Sequence, residues 1–202
     1  MLPSVVAAYA AEGFRVRLGS PRLRTSGVHR WGHDRYIPNF ERLPLGDWGF
    51  TIRDFYVLDL LHRELKPKNA LVIGNAYGMS AVCLAELMKP ICVDVIDAEV
   101  LGEESRAASD LTRRVARRLD LDLHLHGGFS PQDLNAACRF EKYDLVFVDG
   151  LHTNEQIILD YKGIERRLAD RTAVFFLHIG NLNMDVGWDE IKRLAEPIGL
   201  RP

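Results

Sequence analysis

Five short apolar runs recur along the chain, each followed by a helical pattern, and this alternation constrains the fold more than any other feature. The runs are "ALVIG" from Ala70, "ICVDVID" from Ile91, "LDLHLH" from Leu121, "YDLVFVD" from Tyr143 and "TAVFFLHI" from Thr172. They predict strands over 70–73, 91–97, 121–125, 143–148 and 172–178. The first has no polar position, as a strand covered on both faces requires. Helices are expected between them. "GMSAVCLAELMK" is stopped by Pro90, and Glu103 to Leu119 carries a stripe of Leu111, Val115 and Leu119. Ser130 and Pro131 read as a cap and first helical residue, with Asp133 favouring the positive end. Thr153 and Gln156 stand at capping-box spacing. "GWDEIKRLAEPIG" supplies a last helix. An earlier one, with Phe55, Leu58, Leu61 and Leu65 at helical spacing, ends before Pro67. Strands alternating with helices predict a doubly wound, Rossmann-like α/β fold of three layers, its parallel sheet joined by right-handed crossovers.

The chain has 202 residues, 47% of them hydrophobic, enough for one domain with a full core. Residues 48–202 are expected to form that domain. Residues 1–47 lack clean periodicity. "RVRLGSPRLRTSGVHRWGHDR" is basic and broken by Gly, Pro and Ser, and reads with its flanks as an irregular arm or lid. The net charge of −2 disfavours a nucleic-acid partner. Cys83, Cys92 and Cys138 sit in apolar runs without metal or disulfide spacing, which suits a reducing compartment. There is no signal-peptide pattern and no apolar stretch long enough for a membrane helix, so a cytoplasmic location is expected. The sequence allows a homo-oligomer without requiring one.

Ligands of such sheets sit beyond the carboxyl ends of the strands, where strand order reverses. The stretches to inspect are Gly74–Gly78, Asp97–Glu99, Gly128–Ser130, Asp149–His152 and His178–Asn181. A P-loop needs Gly-Lys-Ser/Thr, but Met79 and Ser80 follow Gly78. The dinucleotide fingerprint wants its last glycine where Met79 stands. Small residues at Gly74, Ala76 and Gly78 instead allow a ligand without a pyrophosphate to come close. Asp97, about twenty residues further on, can accept hydrogen bonds from both hydroxyls of a ribose, and Glu99 can share that task.

On these residues the sequence resembles class I S-adenosylmethionine-dependent methyltransferases. The nearest likeness is to the small O-methyltransferase-like subgroup that includes macrocin O-methyltransferase and cephalosporin hydroxylase-type proteins. "LVIGNAYGMSAV" resembles the glycine-rich first motif and "VDVIDAE" the ribose-binding second. "DLVFVDGLHTNEQIILDY" resembles the subgroup's fourth-strand motif. The resemblance implies S-adenosylmethionine as cofactor. It places Gly74, Asn75, Ala76, Tyr77, Gly78 and Ser80 along the methionine part, Asp97, Ala98 and Glu99 at the ribose, and Gly128, Phe129 and Ser130 at the adenine. Asp149, at the cofactor's edge, and His152 would face the methyl-transfer centre, where the acceptor is a small-molecule hydroxyl.

Three departures stand out. Val72 occupies a position that often holds Asp or Glu. Metal-dependent relatives bind magnesium through acidic groups after the fourth and fifth strands, but here the fifth strand runs "HIGN", with Ile179 where an aspartate would be. Asp149 and Asn181 are the oxygen donors left, and no functional divalent metal is expected. The antiparallel strand pair that usually completes such a sheet has no counterpart after "EPIGLRP". Methyl transfer needs alignment and loss of a proton, so His152 and His178 are the candidate bases, with Asp149 beside them. His124 and His126 read as structural. Two other classes stay open: a non-catalytic module that binds the cofactor, and a nicotinamide-dependent oxidoreductase.

Overall fold

A computed structural model of the chain describes residues 2–14, 16–18, 38–40, 52–180 and 182–200. Its main sheet has five parallel strands: β3 (Asn69–Ile73), β4 (Cys92–Asp97), β5 (Asp122–Gly127), β6 (Tyr143–Val148) and β7 (Leu168–Phe176). Their spatial order is β5-β4-β3-β6-β7. The chain winds outward one way from β3 and then returns to β6 on its other side, so strand order reverses between β3 and β6. This is the doubly wound α/β fold expected from the sequence. Among the described residues the sheet has no antiparallel member. A separate antiparallel pair joins β1 (Val16–Leu18) to β2 (Pro38–Phe40).

Side-chain alternation explains why the first apolar run has no polar position. Ala70 and Val72 point into one core layer, with Leu84, Ala85 and Met88 of α3 (Met79–Leu87) and its end, and Leu58 of α2 (Ile52–Leu65). Leu71 and Ile73 point into the opposite layer, with Leu134 and Ala137 of α5 (Leu134–Ala137) and Ile164 of α6 (Asn154–Ile164). All four side chains are buried, each contributing roughly 1.5–3 kcal/mol if it is of Leu, Val or Ile size. A third cluster joins α3 to Leu111 and Val115 of α4 (Glu103–Arg118).

The third cluster corrects the expectation of an irregular arm at the extreme N-terminus. Leu2–Ala11 form a helix, α1, whose Val5 and Tyr9 are fully buried in it. Glu12, just beyond, pairs with Arg114 and Arg118 of α4 at 2.8 Å each. The helix carries few polar residues, so burial against α3 and α4 rather than an amphipathic stripe fixes it. Most of the remaining 1–47 segment lies outside the described residues.

Other differences are local. Ser130–Pro131 is a cis peptide within a turn, and the short helix begins only at Leu134, after Asp133. Strand β5 runs on to Gly127. Strand β7 starts at Leu168, with an irregularity opposite Tyr143 and Leu145, and stops at Phe176, so His178 lies beyond it. α7 (Asp185–Ala195) closes the fold against α6. No described helix is long and apolar enough to cross a membrane, and the three cysteines are free.

Candidate active site at the carboxyl edge of the sheet

The loop after β3 is held almost entirely by backbone and neighbouring side chains. Gly74 has φ +96°, and a Cβ there would stand 2.2 Å from the Asp149 carbonyl oxygen. Its N–H donates to the Ile96 carbonyl at 2.8 Å. Gly78 has φ +78°, and its Cβ would stand 2.2 Å from Thr112 Oγ1 of α4. Glycine is therefore needed for crossings within the protein, of the β6 end at Gly74 and of α4 at Gly78, and not only for a ligand as the sequence suggested. Ala76 also lies in the left-handed region, φ +44°, and is exposed at the edge.

Asp97 ties this loop to the end of β4. Its Oδ2 accepts from the Asn75 N–H at 2.7 Å and the Ala76 N–H at 3.3 Å, and its Oδ1 from the Glu99 N–H at 2.8 Å. A carboxylate has about four acceptor directions; three are taken by these N–H groups, so Oδ1 keeps one for a ligand hydroxyl. Ala98 and Glu99 are half-buried beside it, the Glu99 carboxylate lying against Gly127. Asn75 is buried and donates to Ala76 O at 2.8 Å and Thr112 Oγ1 at 3.1 Å. Tyr77 turns inward. Its ring packs between α1, α3 and α4, its hydroxyl donates to Glu104 at 2.8 Å, and its carbonyl accepts from Tyr9 OH at 2.8 Å. Burial first, then Glu104, pushes the Tyr77 phenol above its usual range. Ser80 is half-buried in the first turn of α3.

The turn after β5 is fastened from two sides. Gly128 N–H donates to Asp97 O at 2.8 Å, and Phe129 N–H to Asp133 Oδ2 at 2.7 Å. The Phe129 ring is exposed. Ser130 O accepts from Gln156 Nε2 at 2.9 Å, and the same amide donates to Asp160 Oδ1 at 2.8 Å. Thr153 does cap α6, accepting from the Gln156 N–H at 3.1 Å. The Gln156 side chain, however, holds the Ser130 turn instead of completing a capping box. Asp160 is fully buried, and burial chiefly raises its carboxyl's pKa against the opposing effect of Ser130 and Gln156.

The other half of the edge is made of side chains. Asp149 and His152 follow β6; His178 follows β7. His152 Nε2 lies 3.2 Å from Asp149 Oδ1 and His178 Nε2 lies 3.6 Å from the same oxygen. The two imidazoles meet edge to face, centroids 4.9 Å apart. Asp149 N–H donates to Ile73 O at 2.8 Å, which fixes this trio against the end of β3. His178 has φ +64°, rare for a residue with a side chain and a cost of order 1–3 kcal/mol. Ile179 turns away into the α6–α7 packing. Asn181 lies outside the described residues. The structure thus brings together Asp149, His152 and His178. His124 lies on β5, 3.9 Å from buried Asp94, and His126 near that strand's end.

Thr112, Tyr9 and Asp160 carry no sequence signal, and neither does the tie of Gln156 to the Ser130 turn. Thr112 gave no signal because it sits next to Leu111 on a face that reads as packing. Gln156 does pair with Thr153 through its N–H, while its side chain turns to Ser130 and Asp160.

Residues 71–178 match a family described as a methyltransferase domain. The chain belongs to that methyltransferase family. Solved structures agree at the level of fold. An O-methyltransferase from Bacillus cereus, in complex with S-adenosylhomocysteine, is 20% identical with a TM-score of 0.54, over 76% of this chain and 71% of that one. The Streptomyces achromogenes O-methyltransferase TomG, involved in tomaymycin synthesis and solved with S-adenosylmethionine, is 20% identical with a TM-score of 0.58, over 79% and 73%. A Podospora anserina methyltransferase with S-adenosylhomocysteine bound is 16% identical with a TM-score of 0.57, over 77% and 74%. No curated protein matches the chain. In this methyltransferase domain the glycine loop opens the matched stretch and His178 closes it, so both halves of the edge fall within the family's span.

Proposed function

We propose that this methyltransferase moves a methyl group from S-adenosylmethionine to a hydroxyl of a small molecule. The observation that carries the reading is the meeting of two stations at one switch point. The Gly74–Gly78 loop with Asp97 forms one, and Asp149, His152 and His178 form the other, joined through the Gly74–Asp149 crossing. Asp97 would take a ribose hydroxyl on the remaining direction of Oδ1, with Ala98 and Glu99 beside it to share the second. Gly128, Phe129 and Ser130 would flank the adenine, and the backbone of Asn75 to Gly78, with Ser80 behind it, the methionine part. The acceptor oxygen would approach the trio in line with the methyl group. His152 would take its proton, with Asp149 orienting the imidazole and His178 packed against it.

The fourth-strand motif "DLVFVDGLHTNEQIILDY" supports a place in the macrocin O-methyltransferase and cephalosporin hydroxylase-type subgroup. Free cysteines suit a cytoplasmic location. Calorimetry with S-adenosylhomocysteine, followed by detection of that product from S-adenosylmethionine over a panel of hydroxylated acceptors, tests the reading. Binding of NADH with none of S-adenosylhomocysteine would end it. Cofactor binding with no acceptor methylated would favour a non-catalytic binding module.

A further inference from the structure

The trio poses a question of its own. Magnesium sites in metal-dependent relatives rest on acidic groups after the fourth and fifth strands. Magnesium is a hard cation that takes oxygen donors in near-octahedral geometry. Here the donors are one carboxylate oxygen and two imidazole nitrogens, and Ile179, the neighbour of His178, is aliphatic and packed away from the edge. These residues do not fit magnesium.

They fit a different class of cation. Imidazole nitrogens favour zinc, cobalt, nickel and their neighbours over magnesium. A cation about 2.0–2.2 Å from each donor, at tetrahedral or octahedral angles, sets the donors roughly 3.0–3.6 Å apart. The two pairs that share Asp149 Oδ1 stand at 3.2 and 3.6 Å, and one donor atom from each of the three residues lies within 4.8 Å of the others. The imidazole-to-imidazole pair, within 4.8 Å, is the one that must close on a bound cation. The three side chains are partly buried, from 11% exposed at His152 to 33% at His178, which leaves room for solvent or an acceptor oxygen as further ligands. His178, whose backbone is left-handed at φ +64°, presents its imidazole to the same carboxylate oxygen.

We propose that Asp149, His152 and His178 form a site for a borderline divalent cation of the zinc and cobalt class, and not for magnesium. This deepens the reading of the site given above and rests on it for the consequence that follows. A cation bound there takes the imidazole electron pair that His152 needs to accept a proton. Occupancy by zinc then slows methyl transfer, and a chelator restores it.

The test uses the full chain freed of metal with a chelator, titrated with cobalt(II) and followed by its visible absorption. A saturable band that zinc abolishes and a thousandfold excess of magnesium leaves in place is expected. His152→Ala and His178→Ala should each weaken cobalt binding at least tenfold, while His124→Ala, away from the trio, leaves it unchanged. S-adenosylhomocysteine affinity, measured on the same proteins, reports that each variant is folded. No band in the wild type, displacement by magnesium, or equal binding in His178→Ala would overturn the site. Turnover that rises with zinc would overturn the competition. If cobalt binds and S-adenosylhomocysteine does not, the cation site stands and the methyltransferase reading fails; the reverse result sinks the cation site alone.

Discussion

The two halves of the ligand edge are built from different material. On the cofactor side, glycines, backbone N–H groups and one carboxylate do the holding, and nearly every contact is internal to the protein. Gly74 exists for the β6 crossing, Gly78 for Thr112, and Asp97 spends both directions of Oδ2 and one of Oδ1 on the loops before any ligand arrives. On the acceptor side, two imidazoles converge on one carboxylate oxygen. Backbone-built sites resist change because each part also holds the fold. Side-chain sites can change their chemistry with a single substitution, as Ile179 illustrates.

The sharpest way to break this comparison is Gly74→Val. A Cβ at Gly74 would meet the main chain of Asp149 and Gly150 at 2.2 to 2.9 Å, and φ is +96°. Neither backbone can yield cheaply. The variant should lose about 5 kcal/mol or fail to accumulate as folded protein, among the largest single-residue effects. Denaturant unfolding measures it. A variant that folds with near-normal stability would show that the crossing is loose and the glycine serves the ligand after all.

His152→Gln probes the opposite half. Turnover should fall by about 10²–10⁴, the usual contribution of a general base, with stability and S-adenosylhomocysteine affinity almost unchanged. The dissociation of turnover from stability is the point of contrast with Gly74. Normal turnover in metal-free protein would reduce His152 to an orienting contact for Asp149.

Asp97→Ala should fall between these patterns. Losing charged hydrogen bonds to a ligand costs roughly 1.5–3 kcal/mol of affinity. Because the same carboxylate holds the N–H groups of Asn75, Ala76 and Glu99, amide exchange in the loop should also speed up. Weaker binding with unchanged exchange would separate ligand recognition from loop support, and unchanged binding would pass the ribose to Glu99.

How much of this was legible in the sequence follows the same division. The alternation of apolar runs identified every strand of the main sheet, because strands covered on both faces are mostly apolar, even where one polar residue, Asp94 in β4, is buried among them. The placement of Gly74, Asp97 and Asp149 at the ends of β3, β4 and β6 was legible because strand ends follow from the apolar runs alone. The glycines' true neighbours were not legible, since Thr112 and Asp149 reach them across dozens of residues and no local pattern encodes that packing. α1 was missed because a helix buried by its neighbours needs no amphipathic period. His178 meets Asp149 from a left-handed backbone just past β7, a conformation that its sequence, "LHIGN", does not announce.

Asp160 links the two halves, and the smallest predicted effect concerns it. It stands in α6 behind Gly150, and through Gln156 it braces the Ser130 turn on the cofactor side. The Ser130 hydroxyl is near enough to favour its charge, yet neither Ser130 Oγ nor Asp160 Oδ2 completes a hydrogen bond of good geometry. Burial dominates and raises the carboxyl's pKa above its value in the unfolded chain. A raised value means that the carboxyl's contribution is fully present below an unfolded pKa of about 3.9. It is lost as pH rises through the folded value, because ionisation is then costlier in the folded protein. Asp160→Asn keeps the shape and the acceptor for Gln156 but cannot ionise, and its amide can donate to Ser130 Oγ. At pH 7 the variant should be more stable than wild type by about 1 kcal/mol, on the scale of one net hydrogen bond. At pH 3 the difference should vanish. Thermal unfolding at the two pH values reads both. If the variant is instead the less stable at pH 7, the carboxylate is ionised in the folded protein and the Ser130 turn depends on its charge. The cofactor side would then rest on a side-chain electrostatic contact as much as the acceptor side does.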